Sequence, residues 1–156
     1  MRRLILCLVA LCAVTVAVAA SSASAKNGNG VLCVLQAKLS AANETPATTS
    51  TATAHTQIKV RTDGTIEFKT HILNPNGETF VAGHIHLGAV GVPGPVVVPL
   101  FVSPSPSTSA RHIKQSGTAT PNAGTTGAGL CQNPSAYYVN YHTTAFTGGA
   151  IRGQLH

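Results

Sequence analysis

The sequence predicts an all-β fold, an antiparallel β-sandwich or barrel of seven to eight strands, on three observations. Short apolar segments alternate with period two, as strands with one buried face do. Clusters of Gly, Pro, Ser, Thr and Asn separate them, which is where turns belong. Charged residues make up only 9% of the 156, against 44% hydrophobic and 4% aromatic, and an average soluble domain carries roughly 25% charge. This composition excludes a coiled coil or long-helix protein, which is rich in Glu, Lys, Leu and Arg. The apolar fraction also excludes a charge-driven disordered chain. The length fits one domain with at most a processed segment.

The first segment reads as an address. Met1-Arg2-Arg3 is followed by an uncharged, largely apolar run from Leu4 to Ala20, and Ala23-Ser24-Ala25 supplies an A-x-A pattern before Lys26. These are the three regions of a secretory signal peptide, residues 1–25, cleaved after Ala25. The small, polar Ser21–Ala25 stretch favours cleavage over retention as an anchor, and no second long apolar run exists. The expected product is secreted or extracellular, with the periplasm or cell envelope as alternatives, and has no membrane span. Of four cysteines only Cys33 and Cys131 remain after cleavage. In an exported chain they most simply form a disulfide, closing a loop that contributes roughly 4–5 kcal/mol in the chain-entropy model. Cleavage removes Arg2 and Arg3 and lowers the net charge from +6 to +4. The remaining basic residues are scattered without aromatic interleaving, so no nucleic-acid partner is expected.

The elements of the domain, residues 31–156, follow in order. Lys26–Gly30 is a flexible lead-in. Val31–Ser40 is apolar and β-branched enough for a first strand, and Ala41–Ser50, with Asn43 and Pro46, is loop. Thr53–Arg61 and Thr65–Leu73 alternate most clearly. A three-residue loop, Thr62-Asp63-Gly64, with Gly64 left-handed, pairs Val60 with Ile66 and Ile58 with Phe68. It also sets Lys59 opposite Glu67. A two-residue turn would instead mix apolar and charged faces. Asn74-Pro75-Asn76-Gly77 is a turn. Strands follow at Val81–Leu87, Val96–Val102, Ala110–Ala119, Ala136–Thr143 and Ala150–Leu155. Loops Gly88–Pro95, Ser103–Ser109 and Thr120–Gly129 separate them. No window of about twelve residues carries helical periodicity, and there is no internal repeat.

Three blocks are less generic. Ala82-Gly83-His84-Ile85-His86-Leu87-Gly88 precedes Gly94-Pro95-Val96-Val97-Val98-Pro99-Leu100. Tyr137-Tyr138-Val139-Asn140-Tyr141-His142-Thr143 precedes Gly148-Gly149-Ala150-Ile151-Arg152-Gly153-Gln154-Leu155. Near the front stands Leu39-Ser40-Ala41-Ala42-Asn43-Glu44-Thr45-Pro46. Together they resemble the CHRD (chordin) domain over about residues 33–155. Ala150 is a departure, since an acidic residue commonly precedes Ile-Arg-Gly-Gln-Leu in that family. The resemblance implies an immunoglobulin-like β-sandwich with limited similarity to copper/zinc superoxide dismutases, and no established enzymatic activity for single-domain bacterial members.

Period two also organises the polar residues. His84 and His86 project from one face of their strand, leaving Ile85 and Leu87 for the core. His142 shares a face with Asn140 and Tyr138, and Arg152 and Gln154 share one on the last strand. If the strands meet, His84, His86 and His142 converge as three imidazole ligands with a fourth position open, a set that suits zinc or copper. Alternatively these histidines hydrogen-bond loop carbonyls and hold Gly88–Pro95 in place. His84, His86, Asn140, His142, Arg152 and Gln154 are therefore the candidate ligand-binding residues. His55 and His71 face each other across the hairpin as plain surface, and His112 and His156 have no expected role. No G-x-S-x-G elbow, paired carboxylates, phosphate-cradling loop or c-type haem motif is present, and no catalytic residue is expected. The leading expectation is a secreted, non-enzymatic module that binds an extracellular ligand or protein. The alternative is a histidine-ligated copper or zinc protein with redox or hydrolytic activity.

Overall fold

A computed structural model describes residues 29–102 and 109–156. Residues 1–25, where a signal peptide is expected, residues 26–28 of the lead-in and residues 103–108 of the Ser/Pro segment lie outside the described residues. Eight strands form: β1 (Val31–Ser40), β2 (Thr53–Arg61), β3 (Ile66–Leu73), β4 (Phe80–Leu87), β5 (Val96–Val102), β6 (His112–Ala119), β7 (Tyr137–Thr143) and β8 (Ile151–Gln154). All neighbours are antiparallel, in the order β5-β4-β7-β8-β1-β2-β3-β6. At the β8–β1 step the register holds only the pair Ser40 and Arg152, and there the sheet folds into two four-stranded halves. They face each other: the Tyr141 hydroxyl of β7 donates to Thr70 Oγ1 of β3 at 2.8 Å across the core. At the far edge Asn122, just past β6, binds the Val97 and Val96 carbonyls of β5. The sheet thus comes close to closing as a barrel.

Strand formation follows the alternation. In β3 the inward residues Ile66, Phe68, Thr70 and Ile72 are buried, and Lys69, His71 and Leu73 are exposed. Val60 pairs with Ile66, Ile58 with Phe68 and Lys59 with Glu67, and Gly64 has φ +86°, as the three-residue loop requires. Each Ile, Leu, Val or Phe buried this way contributes about 1.5–3 kcal/mol. Thr56, Thr70 and Tyr141 are fully buried polar residues, but their hydroxyls satisfy one another at 2.8–2.9 Å, which removes the penalty of an unpaired buried group.

Cys33 and Cys131 form a disulfide across 98 residues. Cys131 sits on a helix the period reading did not place, α1 (Gly127–Gln132), inside and beyond the Gly/Thr/Asn loop. Six residues are too few to show a 3.6-residue repeat. Thr126 caps the helix by accepting from the Gly129 N–H. The expected inward position of Leu87 is corrected: it is 45% exposed. Leu87 is the last residue of β4 and stands past the β4–β5 ladder, which shifts between Ile85 and His86 and ends at the pair His86–Val96.

Candidate functional site

Strand pairing builds the site. His84 lies opposite Asn140 and His86 opposite Tyr138 between β4 and β7, while His142 lies opposite Ala82. Asn140 in turn faces Arg152, and Tyr138 faces Gln154, between β7 and β8. One sheet face therefore carries the rows His84–Asn140–Arg152 and His86–Tyr138–Gln154, with His142 beside them. The opposite face carries Ile85, Val139 and Ile151 into the core, all fully buried.

Two loops lie over the polar face. Loop 88–95 is held by the site's own residues. Arg152 donates to the carbonyls of Ala89 (2.7 Å) and Val92 (3.1 Å), and Gln154 Nε2 donates to Gly88 O and Ser135 O, both at 2.7 Å. The Gly94 N–H donates to the Tyr138 hydroxyl. Loop 144–149 is anchored through Thr144 to the Thr79 carbonyl. Under these loops Tyr138, Asn140 and Arg152 are no more than 3% exposed. Arg152 Cζ stands 3.4 Å over the Tyr138 ring, and the His86 ring stacks on Tyr138 at 4.8 Å.

The three imidazoles converge. One nitrogen from each lies within 4.8 Å of the others. His84 Nδ1 is 3.1 Å from His142 Nε2, close to the roughly 3–4 Å separation of two ligands on one tetrahedral ion. His86 Nδ1 meets the Gly94 carbonyl and His142 Nδ1 the Thr147 carbonyl, both at 2.9 Å. A carbonyl only accepts, so Nδ1 carries the proton in both rings and each Nε2 presents a lone pair. Without an ion His142 Nε2 accepts from His84 Nδ1, and ligation through His84 Nδ1 needs the tautomer of that ring with its proton on Nε2. His86 Nε2 is buried and has no partner among the described residues. Burial holds all three histidines below the usual imidazole range, His84 down to about 4, with His142 and then His86 adding repulsion. At neutral pH the rings are neutral, the form that ligates a metal.

One residue the sequence reading left out of the site completes its electrostatics. Glu44 follows the short 3-10 turn Ala41–Asn43, where Asn43 Nδ2 donates to the Arg152 carbonyl. Its Oε1 accepts from Asn140 Nδ2 at 2.8 Å, across 96 residues of chain. Burial raises the Glu44 carboxyl to about 7, against the lowering pull of the Arg152 charge and the Thr45 N–H. Gly149 closes over this pair: a Cβ there would stand 2.5 Å from Asn140 Nδ2 and 2.7 Å from Glu44 Oε1. Glu44 is one of only four acidic residues and stands in the front block with Asn43. That was the available signal, but nothing local says which strand it reaches. Asn140 Oδ1, at the other end of the amide, is the second buried polar atom without a partner among the described residues.

The remaining histidines stay apart from this cluster. His55 faces His71 across β2–β3, both exposed, and His55 Nε2 meets Gln36 Oε1 at 3.2 Å. His112 pairs with Leu73 at the β6 edge.

The family model of the CHRD domain matches residues 35–155. No curated protein and no solved structure matches. The chain belongs to the CHRD domain family.

Proposed function

We propose that this member of the CHRD family is an exported binding module whose ligand is a late first-row metal ion, copper or zinc, held by His84, His86 and His142. The observation that carries the reading is the donor set: three neutral imidazoles with nitrogens within 4.8 Å of one another. Two of the rings are fixed in tautomer by backbone carbonyls. Such outer hydrogen bonds orient metal-ligating histidines. The unpartnered, buried His86 Nε2 is an acceptor that a cation would satisfy. Imidazole suits both ions, and copper binds nitrogen sites more tightly than zinc. A bound ion would offer Lewis acidity at zinc or one-electron chemistry at copper. The loops over the face favour binding above turnover, because they narrow the approach of a substrate. The signal-peptide pattern of residues 1–25 and the Cys33–Cys131 disulfide support export, which N-terminal sequencing of the released protein tests by a start at Lys26.

Elemental analysis of protein purified without a polyhistidine tag, followed by titration with copper and zinc, is the decisive experiment. Near one equivalent per chain is expected. Less than about a tenth of an equivalent with no uptake on titration overturns the reading, since a functional site is near-stoichiometric.

A second reading, docking of a protein partner, rests on a different observation. Leu87, Val90, Val92 and Val96, on and beside loop 88–95, are 37–79% exposed, and grouped exposed apolar residues mark interaction surfaces. Replacing Val90 and Val92 by Ser would abolish such docking while leaving metal uptake intact.

A further inference from the structure

Two buried side-chain atoms lack a partner among the described residues, His86 Nε2 and Asn140 Oδ1. Both are acceptors: His86 gives its only N–H to Gly94 O, and the Asn140 amide has its nitrogen turned to Glu44. Two orphaned acceptors on one face call for a species that brings a positive charge and hydrogens together, which a metal ion carrying a water does. Glu44 stands on the β8 side of Asn140, where Asn43 binds the Arg152 carbonyl. With its nitrogen committed to Glu44, the amide keeps a buried oxygen for another group, and its neighbour across the β4–β7 pair is His84.

We infer that Asn140 positions the fourth ligand of the metal site, its Oδ1 accepting a hydrogen from a metal-bound water while Glu44 holds the amide in that orientation. This deepens the metal-binding reading and rests on it. Asn140 and Glu44 are positioning residues, and neither ligates the ion. The arrangement has a selectivity consequence. A fixed acceptor beside the open position favours ligands that donate a hydrogen, such as water or an alcohol, and opposes anions that only accept.

The test uses the whole exported chain loaded with cobalt(II), with azide as the competing anion and the visible cobalt bands as readout. Replacing Asn140→Ala or Glu44→Ala should retain one equivalent of cobalt and strengthen azide binding about fivefold or more, the worth of one hydrogen-bonding group. Glu44→Gln should behave as the wild type, because its Oε1 still accepts from Asn140. Asn140→Asp, of the same size, should weaken azide binding, and it carries the test if Asn140→Ala does not fold. Azide affinity and cobalt bands unchanged in the Asn140 and Glu44→Ala variants overturn this inference and leave the metal reading standing. Equal cobalt uptake by the His84→Ala/His86→Ala/His142→Ala variant overturns both.

Discussion

The described residues contain two places where histidines meet across neighbouring strands, and they differ in register and in cover. On the β2–β3 hairpin, His55 and His71 sit in direct register and stay exposed. On β4 and β7, His84, His86 and His142 sit beneath loops 88–95 and 144–149, and two of them are locked to loop carbonyls. Alternation alone put the rings on shared faces in both places. What makes the second a candidate centre is cover. Loops shield the rings, fix two tautomers and leave a lone pair without a partner among the described residues, while the hairpin face leaves both of its rings exposed.

The comparison breaks most sharply at metal uptake. His84→Ala/His86→Ala/His142→Ala should lower copper or zinc affinity by more than about a hundredfold, the upper range for losing a mere outer-shell partner. His55→Ala/His71→Ala should leave it unchanged. Isothermal titration of both variants decides the matter, and equal losses would mean that cover is irrelevant.

Next in size is the disulfide, which ties β1 of the hairpin half to α1. Cys33→Ser/Cys131→Ser should cost about 2–5 kcal/mol in denaturant unfolding. Metal stoichiometry below the new melting point should remain at one, because neither cysteine lies on the β4–β7–β8 face. A lost stoichiometry would show that the two halves do not hold their shapes independently.

Two glycines extend the same contrast. Gly149→Ala puts a methyl into Asn140 and Glu44 at a φ of +141°, and should cost about 2–4 kcal/mol through strain and overpacking. Gly64→Ala, at φ +86° with nothing within 4 Å, should cost only about 1–2 kcal/mol. Thermal melts of the two variants check the order.

The smallest effect is the acid response of the metal-free protein. The site histidines have folded pKa values below the ordinary 6.5, His84 near 4. Between those values the unfolded chain binds more protons than the native one, so stability falls as pH drops from about 6.5 towards 4. Glu44 opposes this. Its folded pKa is near 7, above the ordinary 4.5, so its contribution is full below about 4.5 and is lost as pH rises through 7. Glu44→Gln should therefore steepen the acid loss, as melts at pH 7, 5.5 and 4.5 would reveal. The exposed His55 and His71 should add nothing when replaced. A flat profile in both proteins would remove the burial argument.

Read from the residues alone, the hairpin was legible in full: its turn, its register and the Lys59–Glu67 pairing follow from a two-residue repeat around one glycine. Equally legible were the all-β class, the Cys33–Cys131 pairing and the shared faces of His84 with His86 and of Asn140 with His142. These depend on properties of neighbouring residues, or on there being a single pair to join. It took the folded molecule to reveal that β7 lies between β4 and β8, that Glu44 reaches Asn140, and that Gly94 and Thr147 lend carbonyls to two imidazoles. Strand order is settled by which apolar faces pack together across the whole chain, and a backbone carbonyl looks the same at every position in a sequence. Leu87 marks the boundary between the two kinds of information: alternation assigns it to the core, and its place past the end of the β4–β5 ladder leaves it exposed.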